Sequence, residues 1–206
     1  AALCGARDPA AGWFKARAFR VPVQLQRSGD AVPHIKLRFR GGSYGSMHGD
    51  NFDGAGFVAG CCGNGFDVTG KNIVLIGAGG AARAIAAALS EAKVNELRIA
   101  NRNLEKAENL VQLLSQKTGF KRATAVALND CDGSDFDMII NSTSLGLNKD
   151  DPLPLALNNL NEDTVIADII MVPAETKWLL AAKAAGLKVH YGRHMLDYQM
   201  ELIGKF

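Results

Sequence analysis

The stretch Lys71-Asn-Ile-Val-Leu-Ile-Gly-Ala-Gly-Gly-Ala-Ala-Arg83 decides the fold of this 206-residue chain. Residues 71–76 are dominated by aliphatic, partly β-branched side chains, the pattern of a strand buried on both faces of a parallel sheet. Gly77-x-Gly79-x-x-Ala82 follows at once. Gly77 permits a tight turn, Gly79 lets the backbone approach a pyrophosphate, and Ala82 keeps the next helix close to the strand. The alanine-rich stretch 81–92, with Ile85 and Leu89 at core spacing, reads as that helix. Its first N–H groups and positive dipole end face the phosphates. Gly77, Ala78, Gly79, Gly80 and Ala81 are therefore the candidate phosphate contacts. A plain βα turn is the alternative. A strand before, a helix after and a second strand at 97–100 favour the dinucleotide.

The end of that second strand selects the cofactor. NAD sites usually place an acid there for the ribose 2′-hydroxyl, whereas NADP sites place a cation for the 2′-phosphate. The chain reads Asn101-Arg102-Asn103, with Lys106 a helical turn on and no acid before Glu105. A guanidinium can fork onto phosphate and stack on adenine. The competing reading is a solvated arginine opening the helix at 104–118. The expected cofactor is NADP(H), with Asn101, Arg102 and Asn103 at its adenosine end.

Working outward, the alternation is regular. Strands are expected near 123–128, 136–141, 164–170 and 187–190. Helices are expected at 176–185, ended by Gly186, and at 195–206. Strands alternating with helices of this length argue an α/β fold with a doubly wound parallel sheet of the Rossmann type. Asp151-Pro-Leu-Pro-Leu and Val172-Pro-Ala punctuate loops. Ligands of such sheets bind beyond the carboxyl ends of the strands. There Asn141-Ser-Thr-Ser-Leu-Gly146 offers Thr143, Ser144 and Leu145 to a nicotinamide ribose, unless it is an ordinary Ser/Thr turn. Gly192-Arg-His-Met195 places a flexible turn and a thioether where a nicotinamide would lie. Gln199 falls one turn into the closing helix, where a lone glutamine is usually just solvated.

Composition narrows the class. The chain is 48% hydrophobic, enough for one core with a small appendage. Its 23 basic and 21 acidic residues are interspersed, so no basic face points to nucleic acid. No apolar run reaches a membrane span and no signal peptide opens the chain. Cys4, Cys61, Cys62 and Cys131 show no metal-ligand or CxxC spacing, so no metal site is expected. Adjacent Cys61 and Cys62 read as small packing residues at a helix end, and a cytoplasmic setting fits.

Ahead of the glycine loop lies Asn51-Phe-Asp-Gly-Ala-Gly-Phe57, an acidic element that puts Asp53 near the redox end of the cofactor. Together with Gly77-Ala-Gly-Gly-Ala-Ala-Arg83, Asn101-Arg102, Ile139-Ile-Asn-Ser-Thr-Ser-Leu-Gly146, Asp168 with Pro173 and Thr176, and Met195-Leu-x-x-Gln199, it resembles the shikimate dehydrogenase family, including its quinate/shikimate relatives. The resemblance runs over residues 47–206. Glutamyl-tRNA reductases share the glycine loop and the Asn-Arg pair, but are not expected to carry the Asp-Gly-x-Gly-Phe or Met-Leu-x-x-Gln elements.

The resemblance implies an enzyme that interconverts 3-dehydroshikimate and shikimate with NADP(H). Its partner is a small-molecule substrate, and it is a monomer or homodimer. Asp53 takes the place of an aspartate that pairs with a lysine, holds a ring hydroxyl and assists proton transfer to the carbonyl oxygen. Gln199 takes the place of the glutamine that binds substrate hydroxyls, and Gly192 and Met195 those of nicotinamide contacts.

Residues 1–46 depart from the family. The expected Ser-x-Ser for the substrate carboxylate is absent, and Ala31-Val32-Pro33 stands where an Ala-Val-Asn is expected. The segment holds six arginines and shows no convincing periodicity. Lys15, 38 residues before Asp53, is the candidate catalytic lysine, although Gly12-Trp13 precede the Phe14-Lys15 pair. The expected organisation is a truncated or aberrant substrate segment at 1–46 and an NADP-binding domain at 47–206. Met171 stands where many members have a tyrosine, and His194 replaces a common glycine. Quinate is the competing substrate, and a cofactor-binding module without turnover is the competing class.

Overall fold

The computed structural model describes the backbone of residues 35–39 and 47–205 and the side chains of 52–203. Lys15 and the segment Ala31-Val32-Pro33 lie outside the described residues. A short antiparallel ladder joins β1 (Ile35–Phe39) to β2 (Met47–Asn51) and spans the expected boundary at residue 46. It runs through part of the segment in which no periodicity was expected. The rest is built on one six-stranded parallel sheet.

That sheet contains β3 (Asn72–Ile76), β4 (Glu96–Asn101), β5 (Ala123–Ala127), β6 (Met138–Asn141), β7 (Val165–Asp168) and β8 (Lys188–His190). Their spatial order is β5-β4-β3-β6-β7-β8, all parallel. The order reverses between β3 and β6, the switch point at which doubly wound sheets open a crevice. The helices are α1 (Asp53–Gly63), α2 (Gly80–Glu91), α3 (Leu104–Thr118), α4 (Lys177–Ala184) and α5 (Gly192–Lys205).

Alternation along β3 sends Ile73 and Leu75 to one face and Val74 and Ile76 to the other. Each of the four is fully buried. The first face is covered by Phe57 of α1, Ile85 and Leu89 of α2, Leu110 and Leu114 of α3 and Met195 of α5. The second is covered by Trp178, Leu179 and Ala182 of α4. Two-sided burial is the reason β3 reads as an unbroken aliphatic run.

The boundaries differ from expectation in two instructive places. Of the helix at 53–63 only its end, at Cys61-Cys62, is expected from the sequence, because Gly54, Gly56, Gly60 and Gly63 lower helix propensity. The helix forms because those glycines let it lie between neighbours. A Cβ on Gly54 would collide with the Ala84 carbonyl of α2. One on Gly56 would sit 2.7 Å from the Met195 carbonyl oxygen of α5, and one on Gly60 3.0 Å from that of His194. The second difference is α5, which starts at Gly192 rather than at Met195. Residues 192–194 are its first turn and not a flexible loop. Gly192 is buried there, because a side chain would meet the backbone of Ile169 and Ile170.

Candidate functional site

The exits of β3, β4 and β6 form a groove of about 300 Å³, lined by Ile76, Gly77, Ala78, Gly79, Asn101, Arg102, Leu128, Ser142, Thr143, Ser144 and Leu145. Gly77 has φ +112°, a conformation that favours glycine, and a Cβ there would lie 2.7 Å from the Ser142 hydroxyl oxygen. Gly79 and Gly80 are exposed and face open space. Gly79 caps α2 without any side-chain hydrogen bond, leaving the first N–H groups of a 12-residue helix to an incoming anion. A cradle that added side chains would fill is the fit a pyrophosphate needs.

At the β4 exit, Asn101 Nδ2 donates to the Asn103 carbonyl at 2.8 Å, closing the turn that carries Arg102. Arg102 is exposed and makes no ion pair among the described residues. The Asn103 side chain accepts from the Lys106 N–H and so caps α3. At the β6 exit, the Ser142 hydroxyl donates to the Ile76 carbonyl at 2.6 Å and ties the turn to β3.

A second constellation lies on the α1–α5 seam. Gln199 Nε2 donates to Asp53 Oδ1 at 2.6 Å, with Asp53 7% and Gln199 2% exposed. Gln199 is therefore not a solvated helix residue. Phe52 and Asp53 open α1, and the glycine contacts with α2 and α5 bring the pair together. Buried Asp168, at the end of β7, accepts from Asn141, Ile170 and Thr176. Burial pushes its carboxyl pKa up, against the opposing pull of those hydrogen bonds.

Beneath the seam, His190 lies edge-on to Phe57 and His194, with its Nε2 3.8 Å from Cys61 Sγ. The Nδ1 atoms of His190 and His194 are 3.3 Å apart. Burial lowers the His190 pKa to about 3 and raises that of the Cys61 thiol. Cys61 is a buried packing residue outside any disulfide, as expected, whereas Cys62, read in the same way, is disulfide-bonded. Among the described residues no group of His, Cys, Asp and Glu has the makings of a metal site.

Of the expected cofactor contacts, Gly77, Ala78, Gly79, Asn101, Arg102, Thr143, Ser144 and Leu145 converge on the groove. Gly80 and Ala81 form the first turn of α2, just behind it. Gly192 and Met195 lie outside the lining residues, packed between β7, α1 and α5. Sequence reasoning missed Ile76 and Leu128 as lining and the hydrogen bonds that Asp168 accepts from Asn141 and Ile170. An acid ending an apolar run was the available signal for the last.

Residues 63–169, just over half of the chain, match the family described as shikimate / quinate 5-dehydrogenase. The shikimate dehydrogenase (NADP(+)) of Geobacillus kaustophilus is 39% identical over 161 residues, covering 75% of this chain and 56% of its own. A solved shikimate dehydrogenase in complex with NADP+ superposes with a TM-score of 0.69 at 37% identity, over 80% of this chain and 56% of that one. The quinate dehydrogenase of Corynebacterium glutamicum in complex with NAD gives a TM-score of 0.69 at 26% identity, over 75% and 56%. The chain thus spans a little over half the length of the relatives it matches. With its parallel sheet, glycine cradle and Asp53–Gln199 pair, this chain belongs to the shikimate / quinate 5-dehydrogenase family.

Proposed function

We propose that the chain carries the cofactor groove and the substrate-binding carboxylate of an NADP-dependent oxidoreductase that interconverts 3-dehydroshikimate and shikimate. The observation that carries this reading is the buried Asp53–Gln199 hydrogen bond beside a dinucleotide cradle. The cation at the end of β4 selects NADP(H). The backbone of 77–81 would hold the pyrophosphate, Arg102 the 2′-phosphate, and Thr143, Ser144 and Leu145 the nicotinamide ribose. Gly192 and Met195 would act on the nicotinamide through the packing of α5. Bound there, NADPH supplies the hydride.

The chain's own residues handle position and protons. Asp53 accepts a substrate hydroxyl, and Gln199 holds the carboxylate in one orientation while offering its amide to the same ring. Reduction of the carbonyl carbon requires a proton on its oxygen, which Asp53 would pass with Lys15 as partner. That is general acid–base work by an aligned pair. The described residues contain no helix long and apolar enough to cross a membrane. We place the protein in the cytoplasm, with residues 1–46 serving the substrate side and 47–206 the cofactor.

Titration with NADPH and NADH, followed by assay of NADP+ reduction with shikimate and with quinate, tests the reading. Arg102→Ala should weaken NADPH by about 1.5–3 kcal/mol, roughly tenfold to a hundredfold, and NADH far less. Equal weakening of both would refute the NADP assignment. Tight NADPH binding with neither substrate oxidised would mark a binding module without turnover.

A further inference from the structure

Asp168 is fully buried and takes no part in the reading above. A carboxylate in such a place persists only where its oxygens are well provided with donors. Oδ1 accepts from Asn141 Nδ2 at 3.2 Å and from the Ile170 N–H at 3.0 Å, while Oδ2 accepts from the Thr176 hydroxyl at 2.8 Å. Burial pushes the carboxyl pKa up, so the site favours charge only through these donors.

One of these donors, Asn141, leads to the groove. Asn141 ends β6 and pairs in register with Asp168 at the end of β7. The same Asn141 amide donates to the Leu145 carbonyl at 2.9 Å. Asn141 Oδ1 accepts from the Thr143 N–H at 3.1 Å and from its hydroxyl at 2.7 Å. The Thr143 hydroxyl oxygen then accepts from the Leu145 N–H at 3.1 Å. On the far side Thr176 caps α4 and lies against Gly146, whose φ is +112°. One carboxylate thereby sets the Asn141 amide, and the Asn141 amide sets the turn that forms one wall of the groove. The opposite end, at Asn101 and Arg102, has its own hydrogen bond and no link to this network among the described residues.

We propose that Asp168 is a positioning residue that holds the 141–146 turn in the shape that receives the nicotinamide end of the dinucleotide, acting through Asn141 and leaving the adenosine end unaffected. An amide at 168 keeps the volume but turns one acceptor into a donor, which would face the Thr176 hydroxyl or the Ile170 N–H. The inference rests on the dinucleotide reading of the groove.

Two probes separate the ends of the groove: NADP+ and adenosine 2′,5′-bisphosphate, each titrated calorimetrically into the wild type, Asp168→Asn and Asn141→Ser. Asn141→Ser, used in case Asp168→Asn does not fold, keeps the carboxylate but removes its donor from Asn141 together with the Asn141 bonds to Leu145 and Thr143. In a folded variant, NADP+ should weaken about tenfold or more while adenosine 2′,5′-bisphosphate stays within about twofold. Weakening of both probes alike, or a lowered melting temperature with both affinities intact, makes the network merely structural and overturns the proposal. Wild-type protein that binds neither probe overturns the dinucleotide reading itself.

Discussion

The groove at the strand ends and the seam between α1 and α5 solve opposite problems. The groove grips with backbone and with exposed side chains. Gly79, Gly80 and Arg102 are all open to solvent, and the partner proposed for them is the cofactor. The seam grips with buried side chains that already hold each other, Asp53 to Gln199 at 2.6 Å. A groove of the first kind accepts a cofactor common to many enzymes, because backbone N–H groups and one cation read phosphate and little else. A pair of the second kind is committed to one geometry, which a particular substrate must match. Affinity for the cofactor and competence in catalysis should therefore be separable by mutation.

The largest expected effect lies in the seam. Asp53→Asn preserves the shape and removes the charge, and with the full catalytic constellation in place turnover should fall by roughly 10²–10⁴-fold while NADPH affinity scarcely moves. Stopped-flow hydride transfer beside a binding titration would show the split. Lost NADPH affinity with turnover intact would erase the distinction between the two regions.

A smaller effect is expected where the seam is packed. Gly56→Ala would place a methyl 2.7 Å from the Met195 carbonyl oxygen and 2.9 Å from Gln199 Cβ. Overpacking of this kind should cost about 1–3 kcal/mol in denaturant unfolding. It should also displace Gln199, lowering turnover more than cofactor affinity. Unchanged stability would mean that α1 and α5 separate at no cost.

The gentlest test concerns the histidine under the seam. His190 has its pKa lowered to about 3 by burial, so below pH 6.5 the unfolded chain binds a proton that the folded chain refuses. Its contribution to stability is fully present above pH 6.5 and is lost as pH falls toward 3. The slope reaches at most about 1.4 kcal/mol per pH unit. His190→Phe should flatten the urea-unfolding profile across that window relative to wild type. Surface carboxylates such as Asp163 and Glu175, held low by lysine partners, act in the same direction but are common to both proteins and cancel. Parallel profiles would show that His190 already carries its proton when folded.

How far each region could be read in advance follows from the range of its interactions. Gly77, Gly79 and Ala82 act within a few residues of a strand, so their spacing announces the turn. Arg102 is legible because it stands directly after a strand whose place is known. Most of helix α1 was hidden, because four glycines argue locally against the helix that α2 and α5 impose. Taken by itself Gln199 reads as a solvated residue, and only the family resemblance marks it for substrate, because nothing near it in sequence reveals a carboxylate 146 positions earlier.

The sequence alone determined the strand–turn–helix cradle, the alternation that makes the sheet parallel, and the cation at the second strand end. These rest on period, steric permission and neighbouring residues, all of which are local. Only the tertiary structure decided that Asp53 meets Gln199 and that Asp168 meets Asn141. Those outcomes depend on which residues distant in the chain share one buried space. There the scarcity of water makes each polar group find a partner.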